Sequence, residues 1–186
     1  GRVTWDGRDL RDAPVASRRR RLAVVLQDAY LFDGSIRDNV RFGAPDAPQS
    51  ALEAAAELTR ASEVIRRQPD GWRASVGERG GNLSTGERQL ISFARALARD
   101  PDLLILDEAT SSVDQQTERL IQEALDNLLR GRTALIIAHR LSTIRRVDRI
   151  IVLDAGRVAE EGTHDELLAR GGLYKTLHDL HFGVAA

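Results

Sequence analysis

The stretch LLILDEATSSVD, residues 103–114, decides the fold class of this 186-residue chain. Its first four residues are apolar on both alternating faces, which is typical of a parallel strand that is covered on two sides. The strand ends in two adjacent carboxylates, Asp107 and Glu108, at the edge where α/β sheets bind ligands. Because successive strand residues point to opposite faces, one carboxylate can hold Mg²⁺ while the other orients or deprotonates a water. Taken alone, the pattern is more often an ordinary polar turn after a strand.

Apolar runs on either side of this stretch predict further strands. Residues 21–26 (RLAVVL), 133–138 (TALIIA) and 149–154 (RIIVLD) each predict a buried strand. RVAEEG at 157–162 predicts a hairpin partner for the last of them. Strands that alternate with helices favour an α/β fold with a largely parallel sheet.

Capping signals and periodicity predict the helices. Ser35 is expected to cap one helix, and Thr163 with Glu166 forms an S/T-x-x-E cap for another. His178 and His181 are expected on the surface of the last helix. Beyond the helix that Ser35 caps, the expected helical stretches are 49–67 (one or two helices), 86–99, 115–129, 165–170 and 172–180.

Two other strands are followed by polar residues, and a helix start that suits a phosphate lies in the sequence between them. Gln27 follows the first strand and His139 follows TALIIA, although either residue alone is more often structural. In NLSTGERQLISFARAL, residues 82–97, Ser84 offers a hydroxyl at a helix N-terminus, where free N–H groups and the helix dipole favour an anion. The same Ser84 and Glu87 form a capping box, which many inert helices also have.

Composition excludes several functional classes. The net charge is -1, so no strong basic field exists to hold nucleic acid or an anionic membrane. The absence of cysteine excludes disulfides, thiolate metal sites and a thiol nucleophile. No apolar run approaches the roughly 20 residues of a membrane span. Because the chain also has no methionine, we expect it to be the C-terminal part of a longer protein.

The motifs together are more specific than any one of them. From residue 1 to about residue 180, the chain resembles the nucleotide-binding domain of an ATP-binding cassette (ABC) transporter. Further phrases, among them QDAYLFDGSIRDNVRFG and EEGTHDELLARGGLY, resemble the exporter branch. Five motifs follow the family's order: the Q-loop (Gln27), the signature (LSTGE, 83–87), the Walker B strand (LLILDE, 103–108), the D-loop (SSVD, 111–114) and the switch histidine (His139).

The resemblance implies a P-loop NTPase-like α/β fold with a largely parallel core sheet. A helical subdomain at about 35–100 would carry the signature motif. Core-sheet segments would lie at about 20–34 and 101–160, and C-terminal helices at about 163–181.

The resemblance also implies an ATPase that uses ATP and Mg²⁺ to power export across a membrane. Two nucleotide-binding domains, identical or different, would form a head-to-tail dimer, with each ATP between one phosphate loop and the other chain's signature. A transmembrane domain is expected upstream in the same polypeptide, with this chain at the cytoplasmic face of the cell membrane and no nucleic-acid partner. VGERG, residues 76–80, would contact that domain through Glu78 and Arg79.

The family's functional residues carry over one by one. Glu108 would be the general base, and His139 would fix the γ-phosphate and the attacking water. Asp107 would hold Mg²⁺ through water, and Gln27 would sense the ion. Asp114 would cross the dimer interface. The expected nucleotide-binding residues of the signature are Ser84, Thr85, Gly86 and Glu87, of which Ser84 and Gly86 would touch the γ-phosphate.

The chain departs from the family pattern in two places. Most members have LSGGQ where this chain has LSTGE, so Glu87 adds negative charge near a polyanion unless Arg88 offsets it. No G-x-x-x-x-G-K-(S/T) phosphate loop occurs in the 186 residues. We therefore expect the chain alone to be poorly active, with unpaired strand edges in its sheet.

Two other functions remain open. A soluble ABC ATPase without membrane domains would have the same active site. Gln27 and Ser84 are only 57 positions apart, which disfavours the chromosome-maintenance proteins with their long coiled-coil insertions. A non-hydrolysing interaction module would contribute only its signature surface to a partner.

Overall fold

The computed structural model describes residues 1–107, 115–138 and 141–183, and for residues 115, 116, 142 and 182 it describes the backbone alone. The chain forms two compact units, Gly1–Ile137 and Ala138–Ala186. Across the described ranges, no helix combines the length and the apolar character that crossing a membrane requires.

The first unit begins with a tight hairpin that was not predicted. Strands β1 (Thr4–Trp5) and β2 (Arg8–Asp9) pair antiparallel across an Asp-Gly turn. Both turn residues have positive φ angles, 51° and 78°, as a two-residue type I′ turn requires and as Asp-Gly favours. The guanidinium carbon of Arg21 lies 4.7 Å from the centre of the Trp5 ring, which ties the hairpin to the chain just before the next strand.

A three-stranded parallel sheet forms the centre of the first unit. In order across the sheet, its strands are β3 (Leu22–Val25), β4 (Leu103–Asp107) and β5 (Thr133–Ile137). The register pairs Val25 with Leu106, and Asp107 with Ile137. The carboxyl ends of the three strands therefore lie at one edge, and the prediction of a largely parallel sheet is confirmed.

Only one face of this sheet lies in the main core. Alternate residues on the opposite face stay accessible, and Val24 and Ile137 are 50% and 52% exposed. The predictions that β4 is covered on two sides and that β3 and β5 are buried strands are therefore wrong for the described residues, because their side-chain alternation buries one face alone. The buried face consists of Ala23, Val25, Leu104 and Leu106.

Helices surround the covered face of the sheet. The predicted stretch 49–67 is two helices, because Arg60 adopts a left-handed φ of 62° between them. Ser35 caps its helix as predicted, and Asp38 completes a capping box. Within the described ranges of this unit, the helices are α1 (Val15–Arg20), α2 (Ile36–Gly43), α3 (Gln49–Leu58), α4 (Ala61–Arg67), α5 (Thr85–Leu97) and α6 (Gln115–Leu129), with 3₁₀ turns at Leu10–Asp12, Gly71–Arg73 and Glu78–Gly80.

Helix α5 is the centre of the packing in the first unit. Its Leu90 and Ile91 side chains are completely buried. Helix α2 crosses it closely, since a Cβ at Gly43 would lie 2.0 Å from the Arg95 carbonyl oxygen. Arg99 Nε donates a hydrogen bond of 2.5 Å to the Gly43 carbonyl oxygen, so the crossing is also fixed by a polar contact.

The second unit is a β-hairpin with short helices. Strands β6 (Ile150–Asp154) and β7 (Arg157–Gly162) pair antiparallel, as the sequence predicts. The prediction that β6 is a buried strand is wrong, because Val152 is its only fully buried residue and Leu153 is 66% exposed. The described helices of this unit are α7 (Leu141–Ile144), α8 (His164–Arg170) and α9 (Leu173–Phe182).

A buried histidine–tyrosine pair joins α8 to α9. His164 Nδ1 lies 2.6 Å from the Tyr174 hydroxyl oxygen, and the two rings meet edge to face. The His178 ring lies against both and its side chain is only 16% exposed, so the prediction that it lies on the surface is wrong. Burial lowers the pKa of His164, and the positive charge of Arg145 lowers it further, against the opposing effect of Asp165.

We expect the second unit to lose stability as the pH falls below about 6.5. The pKa of His164 lies below its ordinary value of 6.5 in the folded chain, so folding favours the neutral ring. The stabilisation is complete above that ordinary value and is lost as the pH falls toward the folded-state pKa. Protease protection of α8 and α9 in the whole protein, followed on heating at about pH 7.5 and about pH 5.5, measures it. His164→Gln is the control, and an equal pH effect in the variant and the wild type would contradict the expectation.

Candidate functional site

The carboxyl edge of the parallel sheet brings two predicted site residues to the same place. Asp107 is the last residue of β4, and Gln27 follows β3 by two residues. Since Val25 pairs with Leu106, Asp107 lies one residue and Gln27 two residues beyond this pair, so both follow neighbouring strands at the same edge of the sheet. Gln27 is exposed and Asp107 is partly buried, so an ion in solvent can reach both. Their oxygens are ligands of the type that Mg²⁺ prefers.

Three predicted site residues lie outside the described residues: Glu108, Asp114 and His139. Glu108 directly follows Asp107, and Asp114 directly precedes α6. Among the described residues, no three His, Asp or Glu side chains cluster closely enough to hold a metal ion by themselves. Asp107 is thus the described carboxylate on which a Mg²⁺ site at this edge would depend.

The signature residues begin α5, and the predicted capping box is present there. Glu87 N donates to Ser84 Oγ at 3.2 Å, and Ser84 N donates to Glu87 Oε2 at 2.9 Å. The Glu87 carboxylate is therefore engaged at its own helix N-terminus, where a negative charge is favourable. Ser84 Oγ accepts in this pair, which leaves its proton able to donate to another acceptor.

Arg88 does not form an ion pair with Glu87 and instead donates hydrogen bonds to the first residues of the signature. Its Nη1 donates to the Leu83 carbonyl oxygen at 2.7 Å, and its Nη2 donates to Thr85 Oγ1 at 3.0 Å. The guanidinium thus places a positive charge beside the Thr85 hydroxyl, one residue after Ser84. The start of α5 combines this charge, two hydroxyls and a helix N-terminus, which are the features that favour a phosphate.

Gly86 is buried against helix α6. A Cβ at this position would lie 2.1 Å from Thr117 Cγ2 and 3.6 Å from Ile121 Cδ1. The residue was predicted to touch a γ-phosphate, and the structure gives it a second role within its own chain. Glycine at this position lets the start of α5 approach the first turns of α6.

A hydrogen-bonded cluster around Asn39 was not predicted. Asn39 is completely buried, and its Nδ2 donates to the carbonyl oxygens of Phe32 (2.9 Å) and Ser35 (3.0 Å). Its Oδ1 accepts from Phe32 N at 2.8 Å and from Arg95 Nη2 at 2.7 Å. The sequence offers one signal for this cluster, which is a polar residue among the apolar positions of α2.

Arg95 extends this cluster from α5. Its Nε donates to the Asn39 carbonyl oxygen at 2.9 Å, and its Nη1 donates to the Tyr30 carbonyl oxygen at 2.8 Å. Its guanidinium carbon also lies 5.2 Å from the centre of the Phe32 ring. Burial lowers the pKa of Arg95 to about 10, which still leaves the side chain charged at neutral pH.

Three aromatic side chains form an exposed patch beside this cluster, here called the aromatic surface: Tyr30, Phe32 and Phe42. The Phe32 ring centre lies 5.3 Å from that of Tyr30 and 4.4 Å from that of Phe42. Phe42 is 59% exposed. Neighbouring aromatic rings that stay accessible on a folded surface are typical of protein contact sites.

The loop that contains VGERG packs against segment 33–36, which directly follows Phe32 of the aromatic surface. Ile36 N donates to the Ala74 carbonyl oxygen, and Val76 N donates to that of Gly34, both at 3.0 Å. Arg79 N donates to Asp33 Oδ1 at 3.3 Å. Val76 is buried, whereas the side chains of Glu78 and Arg79 are exposed.

A groove on the described part of the first unit lies elsewhere. It has a volume of about 1120 Å³ and is lined by the first residues of all three parallel strands, together with Trp5 and Arg21. The groove runs from the end of the sheet opposite Asp107 and Gln27 to Ile105 and Leu135 in the middle of the uncovered face. The groove contains none of the predicted site residues.

Comparisons with known proteins identify relatives for the whole chain. The family model described as "ABC transporter" matches residues 1–111. The chain is 52% identical over 184 residues to a beta-(1-->2)glucan export ATP-binding/permease protein of Rhodopseudomonas palustris, covering 99% of this chain and 31% of the relative. It is 48% identical over 185 residues to an ATP-dependent lipid A-core flippase of Chromohalobacter salexigens, covering 100% of this chain and 32% of the relative.

A solved structure is also similar over the whole chain. It is a bacterial Atm1-family ABC exporter with ATP bound, with a TM-score of 0.89 and 40% sequence identity. The match covers 100% of this chain and 32% of that chain. The chain therefore spans about a third of the length of these relatives. The predicted resemblance and fold class are confirmed.

Proposed function

Because this chain belongs to the ABC transporter family, we propose that it is the larger part of an ATP-hydrolysing domain in a longer protein that exports a substrate across a membrane. The observation that carries the proposal is the match along the whole chain to proteins named for export and to an exporter with ATP bound. The proposed cofactors are ATP and Mg²⁺. The signature helix start and the oxygen ligands at the sheet edge both suit this pair.

The sheet edge supplies the proposed hydrolysis residues. Asp107 holds Mg²⁺ through water and Gln27 senses the ion, in keeping with their position at one edge of neighbouring strands. Bound Mg²⁺ neutralises charge on the phosphates during transfer. Glu108 takes the proton of the attacking water, and His139 fixes that water and the γ-phosphate.

The signature residues act on the nucleotide of a second domain. In the proposed head-to-tail dimer, identical or not, Ser84, Thr85 and Gly86 face an ATP that the partner domain's phosphate loop holds. Glu87 stabilises the helix start that presents them, as its capping contact with Ser84 supports. Asp114 crosses the same interface. No phosphate-loop motif occurs in residues 1–186, so we propose that this loop comes from another part of the whole protein.

The proposed domain division is the one that the family resemblance implies. Residues of about 35–100 form a helical subdomain that presents the signature. Residues of about 20–34 and 101–160 belong to the core sheet, and the C-terminal helices occupy about 163–181. The domain lies at the cytoplasmic face of the cell membrane, where closure of the dimer on ATP drives the attached membrane domains.

The aromatic surface and the VGERG loop form the proposed contact with the membrane domain. Exposed rings supply apolar contact area, while Glu78 and Arg79 supply charge beside it. The hydrogen bond from Arg79 N to Asp33 holds the two features together. Closure of the dimer would thus move the membrane domain through residues of the helical subdomain and of the core-sheet segment just before it.

We expect Phe42→Ser to separate ATP hydrolysis from movement of the membrane domain. Phe42 is 59% exposed, so its loss leaves the core intact but removes a ring from the proposed contact. The whole protein should still release phosphate from ATP, while the ATP-dependent change in tryptic cleavage of its membrane domain should disappear. Leu58→Ser is the matched control, because Leu58 is 49% exposed and lies outside the aromatic surface. A cleavage change in Phe42→Ser equal to that of the wild type would contradict the proposed contact.

A further inference from the structure

Arg95 connects the signature helix to the segment that follows Gln27. Tyr30 is three residues after Gln27, and its carbonyl oxygen accepts from Arg95 Nη1 at 2.8 Å. The two other nitrogens of the same guanidinium donate to the Asn39 carbonyl and side-chain oxygens at 2.9 Å and 2.7 Å. One side chain of α5 therefore fixes both ends of the segment 30–39.

Hydrogen bonds of the Asn39 side chain hold segment 30–39 together as one rigid unit. This side chain binds the backbone of Phe32 from both sides, through Phe32 N (2.8 Å) and the Phe32 carbonyl oxygen (2.9 Å). It also binds the Ser35 carbonyl oxygen at 3.0 Å. Because these groups are hydrogen-bonded to one buried amide, the segment cannot shift in part without breaking several bonds. A displacement of Tyr30 would therefore either break the contacts of Arg95 or move α5.

The chemistry of Arg95 is better suited to holding segment 30–39 to α5 than to filling space in the core. Its hydrogen-bond partners in the described contacts are neutral oxygens, and burial lowers its pKa to about 10. An apolar side chain could fill the same space without the cost of desolvating a charge. A guanidinium instead holds several acceptors at once in a fixed planar geometry, which lysine cannot do.

We propose that Arg95 is a positioning residue for ATP hydrolysis, which couples the position of the segment after Gln27 to that of the signature helix. The inference rests on the proposed function, in which Gln27 acts in one half-site and Ser84 in another. Helix α5 runs from Thr85 to Leu97 and carries both the signature start and Arg95. Movement at the Mg²⁺ edge thereby reaches the residues that face the partner domain's nucleotide.

A double-mutant cycle in the whole protein tests this coupling. Arg95→Lys keeps the positive charge but removes the planar guanidinium, which binds several acceptors at once. Gln27→Ala removes the side-chain amide at the Mg²⁺ edge that Arg95 would couple to the signature helix. We expect Arg95→Lys to lower kcat about tenfold in the wild-type background and less than about twofold in the Gln27→Ala background, because coupled residues are not additive. Arg99→Lys is the matched control. Arg99 lies four residues further along the chain, just past the end of α5, and binds the carbonyl oxygens of Gly43 and Arg19. Arg99→Lys should change kcat by the same factor in the wild-type and Gln27→Ala backgrounds.

A purely structural role for Arg95 gives a different pattern. Its effect on kcat would then be the same in both backgrounds, as for Arg99→Lys, and the proposal would be overturned. If Arg95→Lys does not fold, Phe32→Leu replaces it, since it removes the ring under the guanidinium and keeps the backbone contacts of Phe32. The same non-additivity with Gln27→Ala is expected, and multiplicative effects would again overturn the proposal. A wild-type protein that hydrolyses no ATP would instead contradict the proposed function.

Discussion

Replacing Glu108 by Gln in the whole protein is expected to lower ATP turnover by about 10²- to 10⁴-fold while ATP binding persists. Glu108 follows Asp107 at the carboxyl edge of the sheet, where it would accept the proton of the attacking water. Glutamine has nearly the same size but cannot accept that proton. Phosphate release measures the turnover, and fluorescence of a labelled ATP analogue measures binding.

A matched control for this variant is available on α6. Glu123→Gln removes an exposed carboxylate, 58% accessible, that lies 3.4 Å from the Arg60 guanidinium, away from the sheet edge. Because exposed ion pairs contribute little to stability, this variant should turn over ATP at close to the wild-type rate. Turnover of Glu108→Gln within twofold of the wild type would remove Glu108 from the role of general base.

The second large effect is expected for Gly86→Ala. The added Cβ would lie 2.1 Å from Thr117 Cγ2, so α5, α6 or the Thr117 side chain must shift. Overpacking of this kind costs about 1–3 kcal/mol, although alanine itself favours a helix. The expected result is a lower thermal unfolding midpoint of the whole protein, measured by intrinsic fluorescence.

A second substitution tests whether the overlap is the cause. Thr117→Ser removes Cγ2 and keeps the hydroxyl, so the double variant Gly86→Ala/Thr117→Ser should recover most of the lost stability. Thr117→Ser alone serves as the control for the loss of one methyl group. If the double variant is as unstable as Gly86→Ala, the contact with α6 is not what requires glycine at this position.

Much of the fold was predictable because local signals and tertiary packing agree. The helix caps at Ser35, Ser84 and Thr163 are present as predicted, since each depends on residues only three positions apart. The parallel arrangement of the strands was also predictable, because apolar runs that alternate with helices allow few other topologies. The position of Asp107 at a strand end follows directly from this arrangement.

Burial was less predictable than the strands themselves. LLILD and TALII consist mainly of apolar residues, so their sequence does not show which face the helices will cover. In the structure Leu104 and Leu106 are buried, while Leu135 and Ile137 on the opposite face are exposed. The hairpin of β1 and β2 at the start of the chain was missed because each strand has only two residues, which is too short to show alternation.

The contacts that join distant segments were not predictable from the sequence. Arg95 and Tyr30 are 65 positions apart, and no pattern in either segment indicates their hydrogen bond. Gly86 has a recognisable place in a nucleotide motif, but its contact with Thr117 depends on how α5 and α6 cross. The spacing of three residues between His178 and His181 gives no sign of burial, yet the His178 ring packs against His164 and Tyr174.

The central claim is that the whole protein hydrolyses ATP to drive a membrane domain. Phosphate release from ATP by the purified whole protein in lipid vesicles, with and without Mg²⁺, tests it most directly. The proposed site predicts steady turnover that stops when Mg²⁺ is chelated and returns when the ion is restored. Phosphate release at the background rate of protein-free vesicles under both conditions would contradict the claim and would favour a non-hydrolysing interaction module.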